Sequence, residues 1–270
     1  MIGLRVQERD LEGKVALVTG ATKGIGRAIS LSLTTRGASI LGTFSSPESA
    51  HLFDTLSHTI HSFYAPSDAH HCSNLSAPKL VGIPADITSL SAPSSILDAL
   101  RTHFNGKVDI IVFNAAVMGL AKMGEGGMTT EFVQKALAGN VQFPAMLMEL
   151  LVREGCLRPN SRVVGISSEG VRARRPPGGQ WADELGARPG MEGTTFNSVS
   201  VGFTKTEAYN SIPSDVRERL TAADATEVAV GNRIGEVEDI ADVVSLLISD
   251  KARWISGSVV DATGGKTKII

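Results

Sequence analysis

Four consecutive apolar residues, Val15–Val18, run straight into Thr19-Gly20-Ala21-Thr22-Lys23-Gly24-Ile25-Gly26. So short a run, apolar at every position, reads as a strand buried on both faces. Helical spacing begins at once behind the glycines, at Ile25, Ala28, Ile29 and Leu33, and Arg36-Gly37 is its stop. This junction constrains the chain more than any other feature. A strand that turns into a helix through glycines brings backbone N–H groups and the positive helix end to one spot, where a pyrophosphate fits. The spacing is G-x-x-x-G-x-G rather than G-x-G-x-x-G. Any tight turn can use glycine and bind nothing. Placement at the first strand–helix junction of an alternating chain is what marks Gly20, Lys23, Gly24, Ile25 and Gly26 as candidate nucleotide contacts.

The alternation continues. Ser39–Phe44, Leu80–Pro84, Val108–Phe113, Arg162–Ile166, Thr195–Val199 and Ser258–Asp261 read as further strands. Thr130 to Glu154 reads as one long helix, and Val237–Ile248 as an amphipathic helix before the last strand. Short apolar strands separated by helices imply a parallel sheet covered on both faces. The expected fold is α/β: a doubly wound, Rossmann-like parallel sheet of about seven strands in a single domain over residues 1–270.

The 270 residues, 42% hydrophobic and 20% charged, suffice for one such domain. A formal net charge of −2 argues against a dedicated nucleic-acid binder, which carries a basic excess. No apolar run approaches the ~18 residues of a membrane span, and the opening MIGLRVQERDLEGK lacks a signal-peptide core. Cys72 and Cys156 cannot build a disulfide framework, which points to a reducing, cytoplasmic setting.

Two stretches break the rhythm. Residues 47–79 hold five of the six histidines, many serines and no clear period. His51, His58, His61, His70, His71 and Cys72 lack the paired spacing of a zinc site, so the expectation is a variable helix–loop and no metal. The other stretch carries Arg172, Arg174 and Arg175 in a Pro- and Gly-rich loop, then a short helical piece, Trp181–Leu185. Cofactor choice is read after the second strand, where an NAD site places a carboxylate on the ribose 2′-OH. Here the segment is Gly42-Thr43-Phe44-Ser45-Ser46-Pro47, and the first acid, Glu48, follows the proline. With Ser45 at the strand end and Lys23 and Arg27 in or beside the loop, NADP(H) is expected over NAD(H).

With these pieces placed, the chain resembles the short-chain dehydrogenase/reductase family from Leu11 to Gly265. Leu11-Glu-Gly-Lys-Val-Ala-Leu-Val-Thr-Gly is similar to its opening strand and glycine loop. Ala85-Asp86-Ile87 resembles the segment after the third strand, which implies Asp86 at the adenine. Phe113-Asn114-Ala115-Ala116 resembles Asn-Ala-Gly, with Ala116 in place of glycine, and implies Asn114 at the cofactor. Val163–Ser168 resembles the strand that delivers the catalytic serine; Ser168 aligns with it, and Ser167 precedes it. Asn140 matches the asparagine that holds a catalytic water. Phe196–Thr206 resembles the Pro-Gly loop over the nicotinamide, with Val201 where proline is usual and Thr204 and Thr206 at cofactor-contacting positions. Arg233–Ala241 and Asp250–Gly257 match the closing segments. The phrasing of Trp181–Glu207 is closest to ketoreductases of fungal polyketide pathways. The resemblance implies an NADP(H)-dependent oxidoreductase that reduces a ketone or aldehyde of a secondary metabolite, with a small carbonyl or alcohol compound as its partner and neither nucleic acid nor membrane.

The family's proton donor is missing. Its signature, Tyr-x-x-x-Lys, sets the lysine one turn from the tyrosine, where the cation lowers the phenol pKa from ~10. This chain has only Tyr64 and Tyr209, and no lysine between Lys135 and Lys205. Trp181-Ala-Asp-Glu-Leu already resembles the end of the helix that carries the pair. The active-site crossover, residues 170–194, is thus short by about fourteen residues, roughly four turns. Lys205 and Tyr209 are spaced to share a helical face, but in reversed order. Three readings stay open: an impaired reductase, a non-catalytic relative binding a dinucleotide or a partner subunit, and an incomplete translation of an active enzyme. The shortened helix builds subunit contacts in the family, so monomer and homo-oligomer are both open.

Overall fold

The computed structural model describes residues 9–65, 76–119, 129–168 and 193–266. The strands are β1 (Val15–Val18), β2 (Ser39–Phe44), β3 (Leu80–Pro84), β4 (Val108–Phe113), β5 (Leu157–Ser168), β6 (Thr195–Val201) and β7 (Val259–Ala262). All pair in parallel, in the order β3-β2-β1-β4-β5-β6-β7. The helices are α1 (Gly24–Thr35), α2 (Ala50–Tyr64), α3 (Ala92–Phe104), α4 (Thr130–Leu137) and α5 (Phe143–Arg153). After β6 come α6 (Glu207–Asn210), α7 (Ser214–Glu227) and α8 (Val237–Ile248).

Successive side chains on a strand point to opposite faces. Ala16, Val18, Ile40, Ile110, Val112, Val164 and Val199 therefore share one buried cluster with α1, α2 and α8. Val15, Leu17, Leu41, Ile111, Val163 and Phe196 share the other with α3 and α5. This is the doubly wound sheet expected from the short apolar runs. The end of α1 is clamped to α8 by the buried Arg36, which donates to the Ser245 carbonyl (2.9 Å) and to Asp10 (2.8 Å). That guanidinium holds the Asp10 carboxyl below the usual carboxylate range.

Some elements depart from expectation. β5 begins at Leu157 rather than Arg162. Leu157 pairs with Val108, the register then shifts, and Asn160 takes φ +62° before pairing resumes at Arg162. Pro159-Asn160-Ser161 has the composition of a turn, yet it is an irregularity within a strand. β6 and β7 each run on slightly further, to Val201 and Ala262. The helix expected over Thr130 to Glu154 is interrupted by a π turn at Ala138–Gln142.

Residues 47–79 do contain a period. Phe53, Leu56, Ile60 and Tyr64 are the buried face of α2, and His51, His58 and His61 lie on its exposed side. The Phe53 ring fills a notch made by Gly42 and Gly82, which face each other on β2 and β3. A Cβ on either glycine would approach the ring to 2.5 or 2.4 Å. Among the described residues no group of three His, Cys, Asp or Glu side chains could hold a metal, and no helix is long and apolar enough to cross a membrane. His70, His71 and Cys72 lie outside the described residues, as does the crossover apart from Gly193 and Thr194. Phe53→Ala empties the notch and is expected to cost about 3–5 kcal/mol in chemical denaturation. A loss under about 1 kcal/mol would mean that Phe53 does not anchor α2.

Candidate cofactor and active site

In an open parallel sheet, ligands bind beyond the carboxyl ends of the strands where the order reverses, here between β1 and β4. Thr19 follows β1 and is wholly buried. Its hydroxyl donates to the Val112 carbonyl (3.3 Å) and accepts from the N–H groups of Asn114 and Ala115 (2.9 and 3.0 Å). The Asn114 amide donates back to the carbonyls of Thr19 and Gly20 (3.0 and 3.2 Å). From β2, the Thr43 hydroxyl accepts the Gly20 N–H (3.3 Å), and its carbonyl accepts that of Ala21 (2.9 Å). The glycine turn is thus tied to both neighbouring strands.

Gly20 and Gly24 take φ +67° and +49°, values that favour glycine. Gly26 lies against the turn: a Cβ there would come within 2.1 Å of the Gly20 carbonyl oxygen and 2.5 Å of Asn114 Nδ2. α1 opens with no side-chain cap and no acid in its first turn. Its first N–H groups, at Gly24, Ile25 and Gly26, and its positive end suit an anion. Lys23 is exposed beside them.

Ser45 is exposed just past β2. Glu48 stands beyond it in the turn Pro47–Ser49. Hydrogen bonds from Ser46 and its own backbone hold its carboxyl below the usual range. Asp86 is exposed past β3, and its Oδ1 accepts from the Thr88 N–H and hydroxyl (2.9 and 2.8 Å). Ser168 is exposed at the end of β5, with Ser167 half-buried before it. Asn140 sits in the π turn, a rare winding that is frequent at functional sites. Its Oδ1 accepts the Val117 N–H (2.7 Å), and its Nδ2 donates to the Val117 carbonyl (2.9 Å). The side chain therefore braces the segment that follows Asn114.

Thr206 and Glu207 lie over the glycine turn, since a Cβ on Gly24 would be 3.4 Å from each. The Thr206 hydroxyl caps α6 by accepting the Tyr209 N–H (3.2 Å), and the buried Thr204 donates to the Gly202 carbonyl (2.9 Å). This cover is pinned to the start of α8. The Lys205 N–H donates to Gly235 and the Gly235 N–H to Phe203, both at 2.9 Å, and the Lys205 ammonium pairs with Glu236. A bidentate Arg233–Asp239 pair (2.6 and 2.9 Å) holds Asp239 below its usual range.

Lys205 and Tyr209 are engaged separately, because the Tyr209 hydroxyl meets Thr221 Oγ1 at 2.9 Å. Tyr64, buried at the end of α2, donates to the Thr34 carbonyl (2.6 Å). Motif spacing singles out none of Thr19, Thr43, Val117 or Glu207. Thr19 did carry a signal: a hydroxyl ending an all-apolar strand is buried and must find partners inside.

Strand order, glycine turn and anion-ready helix end together define a doubly wound dinucleotide-binding protein. The family model described as enoyl-(acyl carrier protein) reductase matches residues 20–267. The 3-oxoacyl-[acyl-carrier-protein] reductase FabG of Escherichia coli (strain K12) is 28% identical over 264 residues, covering 95% of this chain and 98% of that protein. The short-chain dehydrogenase/reductase FrzI of Cladobotryum sp is 30% identical over 269 residues, covering 93% and 95%. The crystal structure of the angucycline C-6 ketoreductase LanV with bound NADP matches with a TM-score of 0.77 at 25% identity, covering 97% and 98%. The chain belongs to the short-chain dehydrogenase/reductase family of oxidoreductases.

Thr19→Val keeps the shape but strips the acceptor from two N–H groups in the interior. Chemical denaturation is expected to show a loss of about 2–4 kcal/mol, against under about 1 kcal/mol for Thr19→Ser. Equal losses in the two variants would remove the hydroxyl from its place as the tie.

Proposed function

We propose that the chain is an NADP(H)-dependent oxidoreductase that reduces a ketone or aldehyde of a secondary metabolite. The observation that carries this is the preformed glycine cradle, with a carboxylate missing from the end of β2. The residues present fit the cofactor: Gly20, Gly24, Ile25 and Gly26 leave backbone room and N–H donors for a pyrophosphate. Lys23 and Ser45 suit a 2′-phosphate, Asp86 the adenine, and Asn114, Thr204 and Thr206 the nicotinamide half. Supporting this, FabG is named as a 3-oxoacyl reductase, and LanV as a ketoreductase with bound NADP.

When bound, the cofactor supplies a hydride to the substrate's carbonyl carbon. Ser168, exposed at the tip of β5, donates a hydrogen bond to the carbonyl oxygen. Asn140 acts through Val117, fixing the wall that follows β4. The crossover of residues 170–194 contains neither tyrosine nor lysine. Acid catalysis is worth about 10²–10⁴-fold, so turnover is expected to fall by that order below a relative with the full signature. Few cysteines favour a cytoplasmic setting. Exposed Leu137, Val141 and Met146 around the π turn favour a homo-oligomer.

A second reading, a non-catalytic dinucleotide binder, is favoured by one observation. Both tyrosines are spent elsewhere, on Thr34 and Thr221. Carbonyl-dependent NADPH oxidation, measured with a 3-oxoacyl thioester and an aromatic polyketide ketone, separates the two. Slow turnover that disappears in Ser168→Ala supports the reductase. Turnover in the intact chain no higher than in Ser168→Ala contradicts it and leaves the binder.

A further inference from the structure

The cover over the glycine turn brings a negative charge to a helix end that suits an anion. α1 begins at Gly24 with no side-chain cap and no acid in its own first turn. Its positive end and its first N–H groups are therefore left for a partner from outside the helix. The nearest carboxylate comes from across the site. A Cβ on Gly24 would lie 3.4 Å from Glu207 Oε2, and the Thr206 methyl stands at the same distance. Glu207 is the first residue of α6 and is exposed.

No cation neutralises this carboxylate. Among the described residues its side chain makes neither an ion pair nor a hydrogen bond, and the adjoining Lys23 is not paired with it. The cations of the cover are committed elsewhere. Lys205 pairs with Glu236, while Arg217 donates to the Asn210 carbonyl (3.2 Å) and lies over the Tyr209 ring. The backbone leading into Glu207 is fixed as well, by the paired N–H groups of Lys205 and Gly235 (both 2.9 Å). The exposed side chain is the part that can swing aside.

We propose that Glu207 is an anionic gate on the cradle. Its carboxylate stands beside the α1 N-terminus until a dinucleotide's pyrophosphate displaces it, and it thereby sets cofactor affinity. The gate rests on the dinucleotide reading above. Like charges at one helix end repel, and the carboxylate gives up its attraction to the dipole when the ligand arrives. NADPH and NADH carry the same pyrophosphate, so a gate at this end weakens both by about the same factor. A general surface charge would instead weigh more on NADPH, which carries the additional 2′-phosphate. Glu207 is thus a determinant of affinity, separate from the choice between the two cofactors at β2.

Fluorescence titration of the intact chain and of Glu207→Gln, with NADPH and with NADH, tests the gate. Glutamine keeps the size and removes the charge, at an exposed position where substitution is well tolerated. The Kd of each cofactor is expected to fall by about three- to tenfold in Glu207→Gln, the two by about the same factor. An unchanged or weaker Kd overturns the gate and leaves the cradle standing. Tightening confined to NADPH also overturns it, because the charge would then act from the surface at large. Absence of saturable binding in both proteins at millimolar cofactor overturns the cradle, and the gate with it.

Discussion

The hydroxyl of Thr19 is the interaction on which the site's geometry depends. Buried at the point where the strand order reverses, it serves one carbonyl and two N–H groups of the chain leaving β4. Asn114 answers by donating to the carbonyls of Thr19 and Gly20. Two crossovers from distant parts of the sequence are thereby locked at one spot, around a buried hydroxyl where an unmade bond is expensive. Gly26 completes the arrangement by sitting where any side chain would strike Gly20 or Asn114.

This tie explains how binding and chemistry can part company. The cradle is built by β1, β2, β4 and the start of α1, and the cover by the segment pinned to α8 through Gly235 and Glu236. None of these elements belongs to the crossover between β5 and β6, where the family carries its tyrosine and lysine. A change confined to that crossover leaves the hydrogen bonds around the glycine turn in place. Among the described residues, the end of β5 carries the hydroxyls of Ser167 and Ser168, and a hydroxyl is a weak acid.

Where local pattern and burial agree, the fold was legible. Val15–Val18, Ser39–Phe44, Val108–Phe113 and Val237–Ile248 appear with the bounds that their apolar spacing implies, because each is determined by which face must be covered. Legibility failed where polar residues sit on the outside of a regular element or where the backbone departs from a standard winding. Histidines and serines hid the period of α2, although Phe53, Leu56 and Ile60 keep it. The π turn around Asn140 leaves no periodic mark over five residues, and the pairing of Leu157 before Asn160 is hidden by a turn-like Pro-Asn-Ser. Glycine motifs pointed to the cradle, whereas the hydroxyls of Thr19 and Thr43 that hold it come from different strands and share no spacing.

The proposed dinucleotide cradle has one direct test: equilibrium titration of the purified chain with NADPH and with NADH, followed by cofactor fluorescence. Saturable binding of NADPH, tighter than that of NADH because no carboxylate stands at the end of β2, is the expected result. No saturable signal at millimolar cofactor would contradict the cradle, and tighter binding of NADH would contradict its reading at β2.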